Sequence, residues 1–211
     1  MLNISVLVSG GGTNLQALIN AQNAGQIPGG KIALVVSSNP KAYALERARK
    51  AGIPCRVLPR CSFPSQREYD GALLDLLGQN HIGLVVLAGF MTIISADVVS
   101  QYRNRIMNIH PSLIPSFCGE GCYGLHVHEK ALKRGVKITG ATVHFVNEIC
   151  DGGPIILQKA VKVLPDDTPQ TLQKRVMEQA EWEILPEAVA LFCSGRLQVE
   201  NERVIIKGAQ S

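Results

Sequence analysis

Apolar residues along this chain gather in short runs separated by stretches of helical spacing. Ile4 to Val8, Ile32 to Val36, Cys55 to Leu58, Ile82 to Leu87 and Ile106 to Ile109 are such runs, the pattern of strands buried on both faces. Between them Leu15, Leu18 and Ile19 mark one amphipathic helix, Ala44, Leu45 and Ala48 a second, and Tyr69, Leu73, Leu74 and Leu77 a third. The alternation predicts an α/β fold, a doubly wound, mostly parallel Rossmann-like sheet with helices on both faces. After residue 136 the texture changes. Thr139 to Val146 and Ile155 to Val163 are longer and richer in β-branched residues, are separated by an Asp-Gly-Gly-Pro turn, and read as strands lying side by side. A long helix is expected from the Thr168 cap and Pro169 towards Phe192, kinked at Pro186 and ended by Gly195. Leu197 to Val199 and Val204 to Ile206 then read as a closing hairpin.

Composition narrows the class. The 211 residues suit one domain, 46% of them are apolar and 18% charged, and no repeat or low-complexity stretch interrupts them. Disorder is expected only in the last few residues. The chain opens directly into a strand with no basic flank, and no segment reaches bilayer-spanning length, so a cytoplasmic protein without membrane attachment is expected. The 21 basic residues are scattered and the net charge is only +4, which argues against a nucleic-acid surface. Six cysteines lack paired CxxC spacing, and the run Cys118, Cys122, His126, His128 matches no zinc pattern, so reduced thiols and no metal are expected.

Three places carry candidate chemistry. Asn108 and His110 lie two residues apart at the end of a buried strand, so alternation puts the amide and the imidazole on one side before Pro111 stops the strand. Both can donate hydrogen bonds to an oxygen that gains negative charge. Ser9-Gly10-Gly11-Gly12-Thr13-Asn14 joins the first strand to the first helix, where a glycine-rich turn lets backbone N–H groups approach an anion at the helix N-terminus. Leu15 stands where a dinucleotide fingerprint needs its third glycine, so a single phosphate is the expected guest; the alternative is a tight turn capped by Thr13 with no ligand. Asp151 opens the Asp-Gly-Gly-Pro turn. It is either a turn residue or a carboxylate that orients His110 and raises its pKa. His144, in mid-strand, is read as a satisfied core histidine.

These segments resemble the folate-dependent formyltransferases. Val-Leu-Val-Ser-Gly-Gly-Gly-Thr-Asn-Leu-Gln, Leu87-Ala88-Gly89-Phe90-Met91, Asn-Ile-His-Pro-Ser-Leu-Ile-Pro and His-Phe-Val with Asp-Gly-Gly-Pro-Ile occur in that family's order over residues 5 to 158. The Pro-Ser after the histidine and the Ser-Gly-x-Gly-Thr-Asn turn are similar to the members that act on glycinamide ribonucleotide. The resemblance implies a formyltransferase fold as a single domain over residues 1–211, with a phosphate-binding half at 1–105 and a catalytic and folate-binding half at 106–211. It implies Asn108, His110 and Asp151 as the catalytic set, and Gly12, Thr13 and Asn14 on the substrate phosphate. Glu181 would hold the ribose. Arg67, Met91, Thr92, Ile93, Ile94 and Asn108 would contact 10-formyltetrahydrofolate as co-substrate, with residues 147–150 closing over its pterin. Both partners would be small molecules; oligomeric state is not implied.

Three departures from the family pattern stand out. Thr92 replaces an arginine, Cys118 and the five residues Gly119–Tyr123 lengthen the loop after the Asn-x-His strand, and one residue is inserted before Glu181. Competing classes fit less well. An NAD-dependent oxidoreductase would want an acidic residue where Ser37-Ser38-Asn39-Pro40 stands, and a non-catalytic folate or nucleotide module would need no His110 and Asp151 pair. Within the family, a deformylase or a methionyl-tRNA enzyme would carry a further domain for which this chain has no room.

Overall fold

A computed structural model of the chain describes residues 1–208; the final three, within the tail expected to be disordered, lie outside the described residues. Five strands form the parallel part of one sheet: β1 (Leu2–Val8), β2 (Gly30–Ser37), β3 (Cys55–Val57), β4 (Ile82–Leu87) and β5 (Ile106–His110). Two more, β6 (Ile138–Phe145) and β7 (Ile155–Lys162), continue it antiparallel, giving the order β3-β2-β1-β4-β5-β6-β7. The change of texture after residue 136 is thus a change of strand direction. β6 and β7 are joined by a short connection through Asp151-Gly152-Gly153-Pro154, which cannot hold a parallel crossover.

Strand alternation feeds two cores. Ile4, Val6 and Val8 of β1 point to one face and Leu7 to the other, as do Leu84 and Val86 against Val85 and Leu87 in β4. The first face is covered by α1 (Thr13–Asn23), α2 (Ala44–Lys50), α5 (Leu125–Arg134), α6 (Pro169–Val176) and α7 (Trp182–Cys193). The second is covered by α3 (Gln66–Gln79) and α4 (Ala96–Gln101), whose Tyr69, Leu73, Leu77, Val98 and Val99 are buried. Helices therefore lie on both faces, as the periodicity predicts.

The long C-terminal helix is not continuous. Met177–Glu181 forms a π-helical turn between α6 and α7, upstream of Pro186, which sits buried inside α7. A π turn absorbs one extra residue without breaking the helix, in keeping with the residue that the resemblance places as inserted before Glu181. The irregularity expected at Pro186 is thus found a turn earlier. Gly195 follows the helix with φ +69, and the hairpin of β8 (Leu197–Glu200) and β9 (Arg203–Ile206) turns through Asn201 and Glu202, both at positive φ. Among the described residues no helix is long and apolar enough to cross a membrane.

Candidate active site

Strand order reverses between β1 and β4, and their C-terminal loops open a crevice there, the place where open α/β sheets bind ligands. The β1 loop is built for an anion. Gly12 caps α1 with φ +72, and a Cβ on it would stand 2.6 Å from Ala44 Cβ, so only glycine fits. Gly10 and Gly11 face open space, and no acidic residue occupies the first turn of α1. The first N–H groups of the helix are therefore free to meet negative charge. Gly12, rather than Thr13, takes the cap position, and the Thr13 hydroxyl points to Met177 Sδ at 3.6 Å. Arg47 of α2 steadies the loop from outside, its Nε donating to the Gly11 carbonyl at 2.8 Å and a terminal nitrogen to Gln16 Oε1 at 3.1 Å.

Two further contacts tie this loop to its surroundings. Asn14 Nδ2 donates to Glu181 Oε2 at 2.6 Å, and the amide oxygen of Asn14 is buried without a partner. Burial pushes the Glu181 carboxyl up to about 7, against the lowering effect of the Asn14 bond. The π turn thus delivers Glu181 to the phosphate-type loop despite the inserted residue. The Met91 N–H donates to Ser9 Oγ at 2.8 Å, joining the Gly-Phe-Met segment to the same loop.

Along β5, the alternation places Asn108 and His110 on one side, and Asp151 reaches both. Asp151 Oδ1 lies 3.4 Å from Asn108 Nδ2, and Oδ2 lies 3.5 Å from His110 Nδ1. The Gly119 N–H donates to Oδ2 at 2.8 Å, from the lengthened loop. Asp151 itself sits at φ +54, which turns its carboxylate back over β5. The structure so brings together the three residues picked from two separate segments. Burial would raise the Asp151 pKa, but His144, His110 and the Gly119 N–H together hold it below the usual carboxylate range.

His110 corrects the expectation of a raised pKa. Burial lowers it by more than the Asp151 charge and the Phe117 carbonyl raise it, so the ring is predominantly neutral at neutral pH. Its Nε2 stands 2.9 Å from the Phe117 carbonyl, which can only accept, so the proton of the neutral ring resides on Nε2. His144 is a second correction. It is buried, but it is not a bystander: its Nδ1 donates to the Phe145 carbonyl at 2.8 Å, and its Nε2 faces Asn108 Nδ2 at 3.2 Å and Asp151 Oδ1 at 3.6 Å. His144 Nε2 therefore touches both Asn108 and Asp151. The signal missed in the sequence is register, for β6 pairs antiparallel with β5 and sets His144 directly opposite Asn108.

The remaining candidates form a looser rim. Met91 and Ile93 are exposed, at 57% and 85%, while Ile94 packs on the second core. Arg67, in the first turn of α3, is exposed and makes no hydrogen bond or ion pair among the described residues. In the 147–150 loop, Asn147 Oδ1 accepts from the Ile149 N–H at 3.0 Å and Ile149 is exposed. Among the described residues no three His, Cys, Asp or Glu side chains group as a metal site would require.

The model of the formyl transferase family matches residues 2–189. The chain belongs to that family. It is 40% identical over 208 residues to phosphoribosylglycinamide formyltransferase of Haemophilus influenzae, covering 99% of this chain and 95% of the relative. Glycinamide ribonucleotide transformylase 1 from Symbiobacterium toebii superposes with a TM-score of 0.91 at 45% identity, over 98% of this chain and 94% of that one. A formyltetrahydrofolate deformylase from Pseudomonas syringae pv. tomato str. DC3000 is more distant, with a TM-score of 0.86 at 26% identity, and this chain covers only 65% of it. The loop after β5 supplies both the Phe117 carbonyl on His110 and the Gly119 N–H on Asp151.

Proposed function

We propose that this enzyme transfers the formyl group of 10-formyltetrahydrofolate to the amine of glycinamide ribonucleotide, giving formylglycinamide ribonucleotide and tetrahydrofolate, a cytoplasmic step of purine (IMP) biosynthesis. The observation that carries the reading is the meeting of Asn108, His110 and Asp151 at the end of β5. An anion-ready turn at the end of β1 and near full-length similarity to glycinamide ribonucleotide enzymes support the choice of acceptor.

In this scheme the N–H groups opening α1, with Thr13 and Asn14, hold the phosphate, and the buried Asn14 and Glu181 pair faces the ribose hydroxyls. Met91 and Ile93 offer apolar surface to the folate, with Thr92, Ile94 and Arg67 beside it. The amine nitrogen attacks the formyl carbon, a C–N bond forms, and the carbonyl π electrons move to oxygen. Asn108 Nδ2 and the His110 Nε2 proton stabilise that oxyanion, with the oxyanion taking the place of the Phe117 carbonyl on His110. The attacking amine must lose a proton and the departing folate nitrogen must gain one. Asp151 assists that transfer from the amine to the folate nitrogen, and its charge supports the imidazolium form of His110 as the oxyanion develops.

The test mixes the protein with 10-formyltetrahydrofolate and glycinamide ribonucleotide and follows folate deformylation by absorbance, with water alone and a second amine as control acceptors. Turnover that depends on the ribonucleotide is expected. Equal turnover with water alone would make the chain a hydrolase, and no turnover with any acceptor would leave only a binding module.

A further inference from the structure

The loop after β5 carries thiol chemistry that formyl transfer does not use. Cys118 and Cys122 bracket its first part, and Cys150 stands in the facing loop directly before Asp151; all are free thiols, the first two half-buried and the third exposed. The Cys122 N–H donates to the Gly119 carbonyl at 3.0 Å, closing a turn that folds residue 122 back towards residue 118. Lys130 of α5 reaches the same turn, its Nζ standing 3.0 Å from Cys122 Sγ and 3.1 Å from the Gly121 carbonyl. A cation in contact with sulfur supports the negative charge through which a thiol reacts.

The neighbouring thiols are held differently. Cys118 Sγ donates to the Pro115 carbonyl at 3.2 Å, and burial, the Asp151 charge and Cys122 push its pKa up. Burial, Asp151, Cys118 and Cys122 push the Cys150 thiol up as well. The loop thus sets an ammonium against one sulfur and a backbone carbonyl against the next, an arrangement suited to an attacking and a resolving cysteine.

We propose that Cys122 is a hydroperoxide-reactive thiol and that Cys118 resolves it to a Cys118–Cys122 disulfide on the rim of the active site. Cys122 sulfur attacks the hydroperoxide oxygen: an S–O bond forms, the O–O bond breaks, and the leaving oxygen takes the thiol proton. Cys118 sulfur then attacks the sulfenic sulfur, an S–S bond forms, the S–O bond breaks, and water departs with the Cys118 proton. Two thiols lose two electrons in all, and the peroxide gains them. Gly119, whose N–H binds Asp151, lies inside the ring that this disulfide closes, so oxidation re-aims that donor and lowers turnover until a reductant opens the bond. The effect on turnover rests on the role given to Asp151 above; the thiol chemistry does not.

The test treats the reduced full-length protein with stoichiometric hydrogen peroxide, blocks free thiols with an alkylating reagent, and maps them by peptide mass spectrometry. The expected product is a peptide that has lost two hydrogens and both alkylation sites at 118 and 122, restored by dithiothreitol, while exposed Cys61 oxidises about tenfold more slowly. Cys118→Ser should leave a Cys122 sulfenic acid that dimedone traps, and Lys130→Met should slow oxidation of Cys122 several-fold. Oxidation of Cys122 no faster than Cys61, or a disulfide that joins a different pair, overturns the proposal. A disulfide at 118–122 with undiminished turnover overturns the coupling to Asp151. Absence of turnover in the reduced protein counts instead against the formyl-transfer reading, and leaves the thiol mapping as it stands.

Discussion

Asn108 and His144 face each other across the β5–β6 pair, the amide nitrogen of one 3.2 Å from the Nε2 of the other. The ring nitrogen meets the NH2 end of the carboxamide and so holds its orientation. His144→Phe keeps the bulk and removes that nitrogen, freeing the amide to rotate. Turnover should fall about tenfold with little change in ribonucleotide KM, less than the hundredfold or more lost when an oxyanion donor itself is removed. Steady-state kinetics of His144→Phe beside Asn108→Ala checks the order; equal losses would give His144 a direct role.

Asp151 receives the Gly119 N–H and faces both Asn108 and His110. Asp151→Asn retains the shape but removes the charge that stabilises an imidazolium. A loss of about a hundredfold or more in kcat is expected, with binding of the ribonucleotide unchanged by calorimetry. Near-normal kcat would remove Asp151 from the mechanism.

Arg47 holds the phosphate-type loop through the Gly11 carbonyl. Arg47→Ala should therefore raise the ribonucleotide KM several-fold while leaving the folate KM unchanged. Gly12→Ala is harsher, since the new methyl meets Ala44 and the φ of +72 disfavours a side chain. It should cost about 1–3 kcal/mol of stability, read from chemical denaturation.

Buried groups set opposing pH trends. Glu181, raised to about 7, binds a proton in the fold that the unfolded chain has released above about 4.5, so its contribution makes stability fall as pH rises through that window. His128 is fully buried with both ring nitrogens unpartnered, and burial lowers it to about 4. The unfolded chain then binds the extra proton, and stability rises with pH between about 4 and 6.5, as it does for His110 just below 6.5. Between pH 4.5 and 6.5 Glu181 and His128 offset one another. Glu181→Gln should unmask the histidine slope, of order 1 kcal/mol per pH unit, as a melting temperature that climbs steadily over this range. A variant with the same pH profile as the parent would refute the balance.

Much of this was legible in the sequence because the chemistry follows short periods. Two-residue alternation put Asn108 and His110 on one face, and the glycine triplet marked the turn where only Gly12 fits. What local patterns could not show was pairing between distant segments. His144 reads as core until the β5–β6 register sets it against Asn108, and the π turn that absorbs the residue inserted before Glu181 has no periodicity of its own. The His110 pKa failed for another reason. Sequence names the charged neighbour, but burial, which outweighs it here, is a property of the folded whole.

Phe117 sits at φ +52 with its carbonyl against the His110 Nε2 proton. In the proposed reaction, the place of the oxyanion is held before substrate binds by an oxygen of the chain's own backbone. A formyl oxygen entering there exchanges one carbonyl acceptor for another, so the swap is nearly neutral in hydrogen bonds. On that reading the Nε2 donor stays covered by the Phe117 carbonyl until substrate arrives.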